Sequence, residues 1–196
     1  MPSPAPTRFT FRNALRRFRG NRRGSAVVEF ALVAPMFFAL LFAIIETAIM
    51  FFASQVLETV TQSSARVILT GQAQGQNGSV AACQVKEGVV SACDQATFKT
   101  YVCSQIPAMF DCDKLYVDVQ SYPNSFASVT LSNHVTSGVF DGSGLQYNAG
   151  TASQVVVVRL FYEWPIFVTG LGYKLFNLNG NKRLLVATTA FQNEPF

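Results

Sequence analysis

The residues with the clearest chemical potential lie where a basic N-terminal segment meets a long apolar run. Gly24 follows two arginines directly, and Glu29 comes five residues after it. A glycine allows the backbone to enter a tight peptidase site in an extended form. Cleavage after Gly24 would give Ser25 a free, charged amine at the start of an apolar helix. When such helices pack side by side, the buried amine needs an opposite charge, and Glu29 lies about 6 Å further along the helix.

The cysteines offer a second kind of chemistry. An even number of cysteines in a segment exported to an oxidising compartment indicates two disulfides. Four cysteines allow three pairings, of which we favour Cys103–Cys112, closing a short loop between a helix and a strand, together with Cys83–Cys93. A zinc site is the alternative, but no C-x2-C pair or adjacent histidine supports it, so we expect no metal.

Signatures of catalysis are missing from the sequence. It contains no G-x-S-x-G, P-loop or H-E-x-x-H motif. His134 is the sole histidine and lies in a polar stretch, which predicts a surface residue. Asp111 and Asp113 flank Cys112 without the glycine and terminal glutamate of a calcium loop, so we expect them in a turn and at a strand start. We predict that the chain is not an enzyme and uses no cofactor.

The charges divide sharply along the chain. Residues 1–24 contain seven arginines and no acid, a charge of +7, whereas the other residues contain eight basic and eleven acidic ones, a charge of −3. Charged residues make up 13% of the chain, about half the share in typical soluble domains. This composition excludes disorder and argues against an ordinary cytosolic enzyme. Basic residues interleaved with aromatics do not recur after the leader, so we expect no nucleic-acid partner.

The apolar run that follows is long enough to cross a membrane. Phe30–Ile45 contains no charge, Glu46 interrupts, and Thr47–Ala53 continues the apolar character. A span needs roughly 20 predominantly apolar residues, which the segment 26–53 supplies. Arginines on its N-terminal side place the N-terminus in the cytoplasm. The larger C-terminal part then lies outside the inner membrane of a bacterial host.

Other interpretations of the N-terminus fit less well. A secretory signal peptide is disfavoured because Phe51 stands where a small residue is required. A mitochondrial transit peptide would not adjoin a full-length span. A plain signal anchor fits everything except Glu29 and the intramembrane acid Glu46. For Glu46 two placements stay open, at the membrane interface or paired with another helix in an assembly. Pro35 removes one helical hydrogen bond, which predicts a kink.

The helix is expected to continue beyond the membrane, from about Ser25 to Thr70. An apolar stripe at helical spacing indicates this continuation, and Gly71 is the predicted stop. The polar run 71–78 then connects the helix to the rest of the chain. The stripe consists of Val56, Leu57, Val60, Ser64, Val67 and Ile68.

The remaining sequence predicts one short helix and several strands. Asp94 is the expected N-cap of the helix, followed by apolar residues at helical spacing up to Ile106. Val155–Val158 indicates a central strand buried on both faces. The predicted fold is therefore α+β in a pilin-like layout, with an antiparallel or mixed sheet. The predicted strands are Leu115–Ser121, Ala127–Leu131, Gln154–Trp164 and Arg183–Phe191.

Residues 22–66 resemble the TadE-like family of pilus-assembly pseudopilins, found with Flp-type (tight adherence) pili. The G-SAVV-EF arrangement is similar to a prepilin processing site. The resemblance implies cleavage by a prepilin peptidase after Gly24 and a minor or initiating role in a Tad secretion and pilus system. It also implies other pilins or pseudopilins, the inner membrane and the Tad machinery as partners. The residues that carry it are Gly24, Ser25, Glu29, Phe30, Pro35, Ile44, Ile45, Glu46, Ala65 and Arg66.

Together these expectations divide the chain into four parts. They are a basic prepilin-type leader (1–24), a transmembrane helix (25–53), an amphipathic extension and linker (54–72), and a periplasmic α+β domain (73–196). Two functions stay open for this arrangement. The first is a processed pseudopilin that takes part in pilus assembly. The second is a membrane-anchored periplasmic binding module that keeps its N-terminus.

Overall fold

The structure is a computed structural model that describes residues 24–75, 93–123, 125–167 and 174–196. One long apolar helix is followed by a short helix and antiparallel strands, which confirms the predicted α+β layout. In chain order the elements are α1 (Ser25–Leu69), α2 (Gln95–Gln105), β1 (Leu115–Tyr122), β2 (Val135–Thr136), β3 (Val139–Phe140), β4 (Val155–Pro165) and β5 (Lys182–Gln192).

Helix α1 begins and ends where its sequence dictates. It starts directly after Gly24 and contains Pro35; the kink at this proline stays a prediction. At its C-terminal end Gly71 has a φ of 75°, a conformation that glycine adopts without steric cost. The Gly71 N–H donates to the carbonyl of Ile68 at 3.1 Å, the shorter-range bond of a Schellman motif, and the Ala73 N–H donates to the carbonyl of Val67 at 3.0 Å. The predicted stop at Gly71 is confirmed.

The chain forms two compact units, 1–44 and 45–196. In the second unit, the C-terminal part of α1 packs on the sheet through one face. This face is the predicted apolar stripe, shifted slightly so that Val56 lies at its margin and Ala53 within it. Its fully or largely buried residues are Ala53, Leu57, Val60, Thr61, Ser64, Ala65, Val67 and Ile68.

The sheet that α1 covers has three antiparallel strands in the order β1-β4-β5. β4 is central, and all four valines of Val155–Val158 are buried. A strand that is covered on both faces reads as an uninterrupted apolar run, so the prediction of a buried central strand is confirmed. The predicted strands 115–121, 154–164 and 183–191 match β1, β4 and β5, and each start and end agrees to within one residue.

Helix α2 is fixed at its start by Asp94. The Thr97 N–H donates to Asp94 Oδ1 at 2.7 Å, and the Asp94 N–H donates to Thr97 Oγ1 at 3.0 Å. This reciprocal pair is a capping box and confirms the predicted N-cap. Phe98 and Val102 are fully buried, so α2 contributes its predicted apolar face to the core.

The predicted strand at Ala127–Leu131 is wrong. Residues Phe126–Ser128 form a single 3-10 turn, in which the Ser128 N–H donates to the Ser125 carbonyl at 3.0 Å and the Ser128 hydroxyl donates to the same carbonyl. The position beside β1 that this strand would need is taken by a later segment: the Val119 N–H donates to the Gln146 carbonyl and the Asn148 N–H to the Val119 carbonyl, both at 2.8 Å. Alternation of apolar and polar residues within one segment does not show which of two segments pairs with β1.

Candidate membrane anchor and processing site

The helix begins at the residue that the predicted cleavage would expose. Gly24 precedes α1 by one residue, and Glu29 and Phe30 lie exposed in its second turn. A Cβ added at Gly24 would meet no atom within 4 Å, and Gly24 is not among the described glycines with positive φ. Neither space nor backbone conformation therefore requires a glycine at this position of the fold.

Between Ala26 and Ile45 no side chain of α1 is buried. The helix is the one in the described part of the chain that is long and apolar enough to cross a membrane, and its most apolar window has a mean hydropathy of 2.4. In water this apolar surface would be unfavourable. The exposed large side chains of this stretch are Val27, Val28, Phe30, Leu32, Val33, Met36, Phe37, Phe38, Leu40, Phe42, Ile44 and Ile45.

Glu46 is the first buried residue of α1, at 8% exposure. Its carboxylate accepts a hydrogen bond from the backbone N–H of Phe167, two residues after the end of β4. The sequence left two placements open for this acid, at the membrane interface or paired with another helix. The structure provides a third arrangement, a partner within the same chain. No sequence signal could have found it, because the donor is a main-chain group 121 residues away.

One disulfide is present as predicted. Cys103 in α2 and Cys112 in the turn before β1 are bonded, with Cα atoms 5.9 Å apart. The bond ties the end of α2 to the start of the sheet. Cys83 lies outside the described residues, so its pairing with Cys93 stays a prediction. The described parts of the chain contain no group of three or more His, Cys, Asp or Glu that could hold a metal.

His134 is not the free surface residue that the sequence suggested. It is half-buried, its ring contacts Phe161 at 5.6 Å between centroids, and its Nε2 lies 3.1 Å from Nη2 of Arg159. Arg159 is itself buried and paired with Asp118 at 2.7 Å, and it donates to the Ser132 carbonyl at 3.0 Å. The network holds the 132–134 loop on the sheet, a positioning role. The sequence signal that could have predicted this network is the opposite charge of Asp118 and Arg159, each of which lies among apolar residues of a predicted strand.

A surface groove of about 510 Å³ runs along the outer edge of β1. Gln95 donates from Nε2 to the Val117 carbonyl at 2.8 Å across its floor. Hydrogen bonds from Thr97 lower the pKa of Asp94, and burial raises the pKa of Tyr116. The groove presents one carboxylate, Asp94, one ammonium group, Lys99, and main-chain atoms. This set is better suited to binding a ligand than to catalysis. Its lining includes Asp94, Gln95, Lys99, Tyr116, Gly142 and Leu145.

These features define a class of protein: a single apolar helix of membrane-spanning length that continues into an α+β unit. Most of this helix also matches a known protein family. Residues 24–66 match the model of the TadE-like protein family, which confirms the resemblance drawn from the sequence over these residues. The match supports involvement in Tad pilus assembly and anchoring in a membrane. No curated protein and no solved structure matches the chain significantly.

Proposed function

We propose that this chain is a membrane-anchored pseudopilin that takes part in the assembly of Flp/Tad-type pili, and that a prepilin peptidase cleaves it after Gly24. The N-terminus lies in the cytoplasm and the α+β unit in the periplasm of a bacterial cell. The observation that carries the proposal is the TadE-like match that begins at Gly24 and coincides with the start of α1.

The local structure around Gly24 supports the processing step. Gly24 directly precedes α1, at the N-cap position where several residue types including glycine are favourable, and the fold gives no steric reason that restricts it to glycine. A peptidase that binds the backbone closely would restrict it, because glycine lets the backbone approach the enzyme without a side chain. Cleavage would leave the new amine of Ser25 at the first residue of α1.

The surface of α1 supports the assembly step. None of its apolar side chains between Ala26 and Ile45 is buried and most are exposed, and in a filament they would pack against the same helix of neighbouring subunits. Glu29 lies exposed on this surface, one turn after Ser25. In the packed helices the carboxylate would balance the buried amine of its own or a neighbouring chain.

Intact mass and N-terminal sequencing of protein purified from membranes test the processing step. With a co-expressed prepilin peptidase we expect a mature form that starts at Ser25, and without it a form that starts at Met1. Gly24→Ala should block cleavage without altering the fold. Gly20→Ala, which changes the other leader glycine, is the matched control and should be cleaved normally. Uncleaved wild-type protein in the presence of active peptidase would overturn the proposal.

Glu29→Ala tests the assembly step separately. The variant should reach the membrane and be cleaved, yet assemble pili poorly, because the buried amine loses its counter-charge. Glu58→Ala, an exposed acid further along the same helix, is the control and should assemble normally. Normal assembly by the Glu29 variant would refute the charge-pairing argument.

The alternative is an unprocessed, membrane-anchored binding module, and the groove along β1 is the observation in its favour. This function requires no cleavage. A start at Met1 with and without peptidase would make it the better interpretation.

A further inference from the structure

Phe167 is held in an exposed position by a fixed backbone. Its side chain is 80% exposed, although hydrogen bonds hold the backbone at Ile166 and at Phe167. Ile166 is buried and its N–H donates to the Asn181 carbonyl at 2.9 Å, and the Phe167 N–H donates to Glu46. The large apolar side chain of Phe167 is therefore displayed on a backbone that two hydrogen bonds hold in place.

The hydrogen bond also fixes the level of Phe167 along α1. Helical side chains tilt towards the N-terminus of the helix, so the backbone of Phe167 lies beside Glu46 or slightly before it. A helix of the length Ala26–Ile45 is about 30 Å long, the thickness of the hydrocarbon core of a bilayer. The far edge of the hydrocarbon core then falls at Glu46, which is also the level of Phe167.

The exposed side of α1 indicates the same boundary. Just after Glu46 the exposed residues are still large and apolar: Ile49, Phe51 and Phe52. From Gln55 onwards they become polar, as at Glu58 and Gln62. Ile49 lies about 4.5 Å and Phe52 about 9 Å beyond Glu46 along the helix. The head-group layer is about 5–7 Å deep, so the exposed apolar surface of α1 extends through that layer.

We propose that Ile166–Phe167, directly after β4, form a lipid-docking element in which Phe167 inserts beside α1 at the outer boundary of the hydrocarbon core. The α+β unit then rests on the bilayer through Phe167, Ile49 and Phe52. The partner is the lipid surface itself, because α1 carries exposed apolar side chains before Glu46 and again after it, at Ile49 and Phe52. The hydrogen bond from Phe167 gives the carboxylate of Glu46 a partner at a depth where water is scarce. The inference rests on the membrane anchoring of the proposed function and is independent of cleavage and pilus assembly.

Tryptophan fluorescence in lipid vesicles tests the proposal with three matched variants. Phe167→Trp, Phe37→Trp and Phe126→Trp each replace an exposed phenylalanine of the full-length chain, in a Trp164→Phe background. Phe37 lies within the span. Phe126 comes shortly after the end of β1 that pairs with Val155, the first residue of β4. Phe167 comes just after the last residue of β4, and the two ends of β4 are about 33 Å apart.

The vesicles contain phosphatidylcholine brominated either near the head group or near the methyl end of the acyl chains. We expect quenching of the Phe167→Trp variant to exceed that of Phe126→Trp by at least about threefold, and to be stronger with bromine near the head group. Phe37→Trp should be quenched best by bromine near the methyl end. If Trp164→Phe does not fold, the same variants with Trp164 retained, and its emission subtracted, give the same comparison.

Two results would overturn the inference. One is equal quenching of the Phe167→Trp and Phe126→Trp variants. The other is quenching of Phe167→Trp that disappears as the protein-to-lipid ratio rises, because a second copy of the chain would then cover the site. Loss of quenching at Phe37→Trp would instead refute the membrane span, and failure of cleavage after Gly24 would leave this result unchanged.

Discussion

Asp118 and Arg159 lie directly opposite each other on β1 and β4, and their side chains form an ion pair of 2.7 Å that is almost fully buried. Asp118 Oδ1 also accepts a hydrogen bond from the Gln146 N–H at 2.9 Å. The pair thus joins the central strand to two loops, at Gln146 and at Ser132. A buried pair adds little net stability compared with an apolar pair, but the loss of one partner leaves an uncompensated charge.

Removal of the arginine should therefore be costly. We expect Arg159→Met to lower the free energy of unfolding by about 3–5 kcal/mol, measured by chemical denaturation in detergent. Asp118→Asn combined with Arg159→Met should restore part of this loss, because asparagine keeps an acceptor for the Gln146 N–H without a charge. Lys182→Met is the control: its partner Glu163 lies at 2.7 Å, but the lysine is 42% exposed, so a change of at most about 1 kcal/mol is expected. Equal losses for the two single variants would refute the argument.

Much of the fold follows from local sequence signals, whereas the long-range partners do not. Helix α1, its stop at Gly71 and the buried central strand were predictable, because periodicity and apolar runs report burial directly. The partner of Glu46 was not, because a main-chain N–H leaves no trace in the residue types. The wrong strand at 127–131 has a similar cause: the segment 146–148 pairs with β1 in its place, and sequence alternation says nothing about which segment wins an edge.

The buried hydroxyl of Tyr147 predicts a specific pH dependence. The hydroxyl has no hydrogen-bond partner among the described residues, and burial raises the pKa of Tyr147 far above its usual value of 10.0. At pH values above 10.0, the usual pKa of tyrosine, the unfolded chain releases the phenolic proton while the folded chain retains it. The free energy of unfolding therefore falls as pH rises. Tyr147→Phe should flatten this alkaline decline and increase stability at neutral pH by about 1 kcal/mol. Denaturation series at neutral pH and above pH 10 measure both effects. Parallel alkaline declines in the two proteins would contradict the prediction.

The disulfide between Cys103 and Cys112 should stabilise the unit by restricting its unfolded chain. Its sequence separation is 9 residues, and for a loop of this size the expected contribution is about 2–3 kcal/mol. Cys103→Ser with Cys112→Ser should lower the unfolding midpoint accordingly. Cys83→Ser with Cys93→Ser is the parallel double variant, and mass spectrometry of non-reduced peptides from it should still show the 103–112 link. A peptide that joins Cys103 to another cysteine would contradict the assignment.

The hydrogen bond between Glu46 and Phe167 can be tested directly at the amide. Glu46→Gln keeps a carbonyl oxygen that can accept from the Phe167 N–H, whereas Glu46→Leu leaves the amide without this acceptor. We expect Glu46→Leu to lose about 1–3 kcal/mol of stability and to show faster hydrogen exchange at Phe167, while Glu46→Gln remains close to the wild type. Glu58→Leu, at an exposed position of the same helix, controls for the added apolar surface. Equal exchange rates at Phe167 in the glutamine and leucine variants would show that the acceptor lies elsewhere.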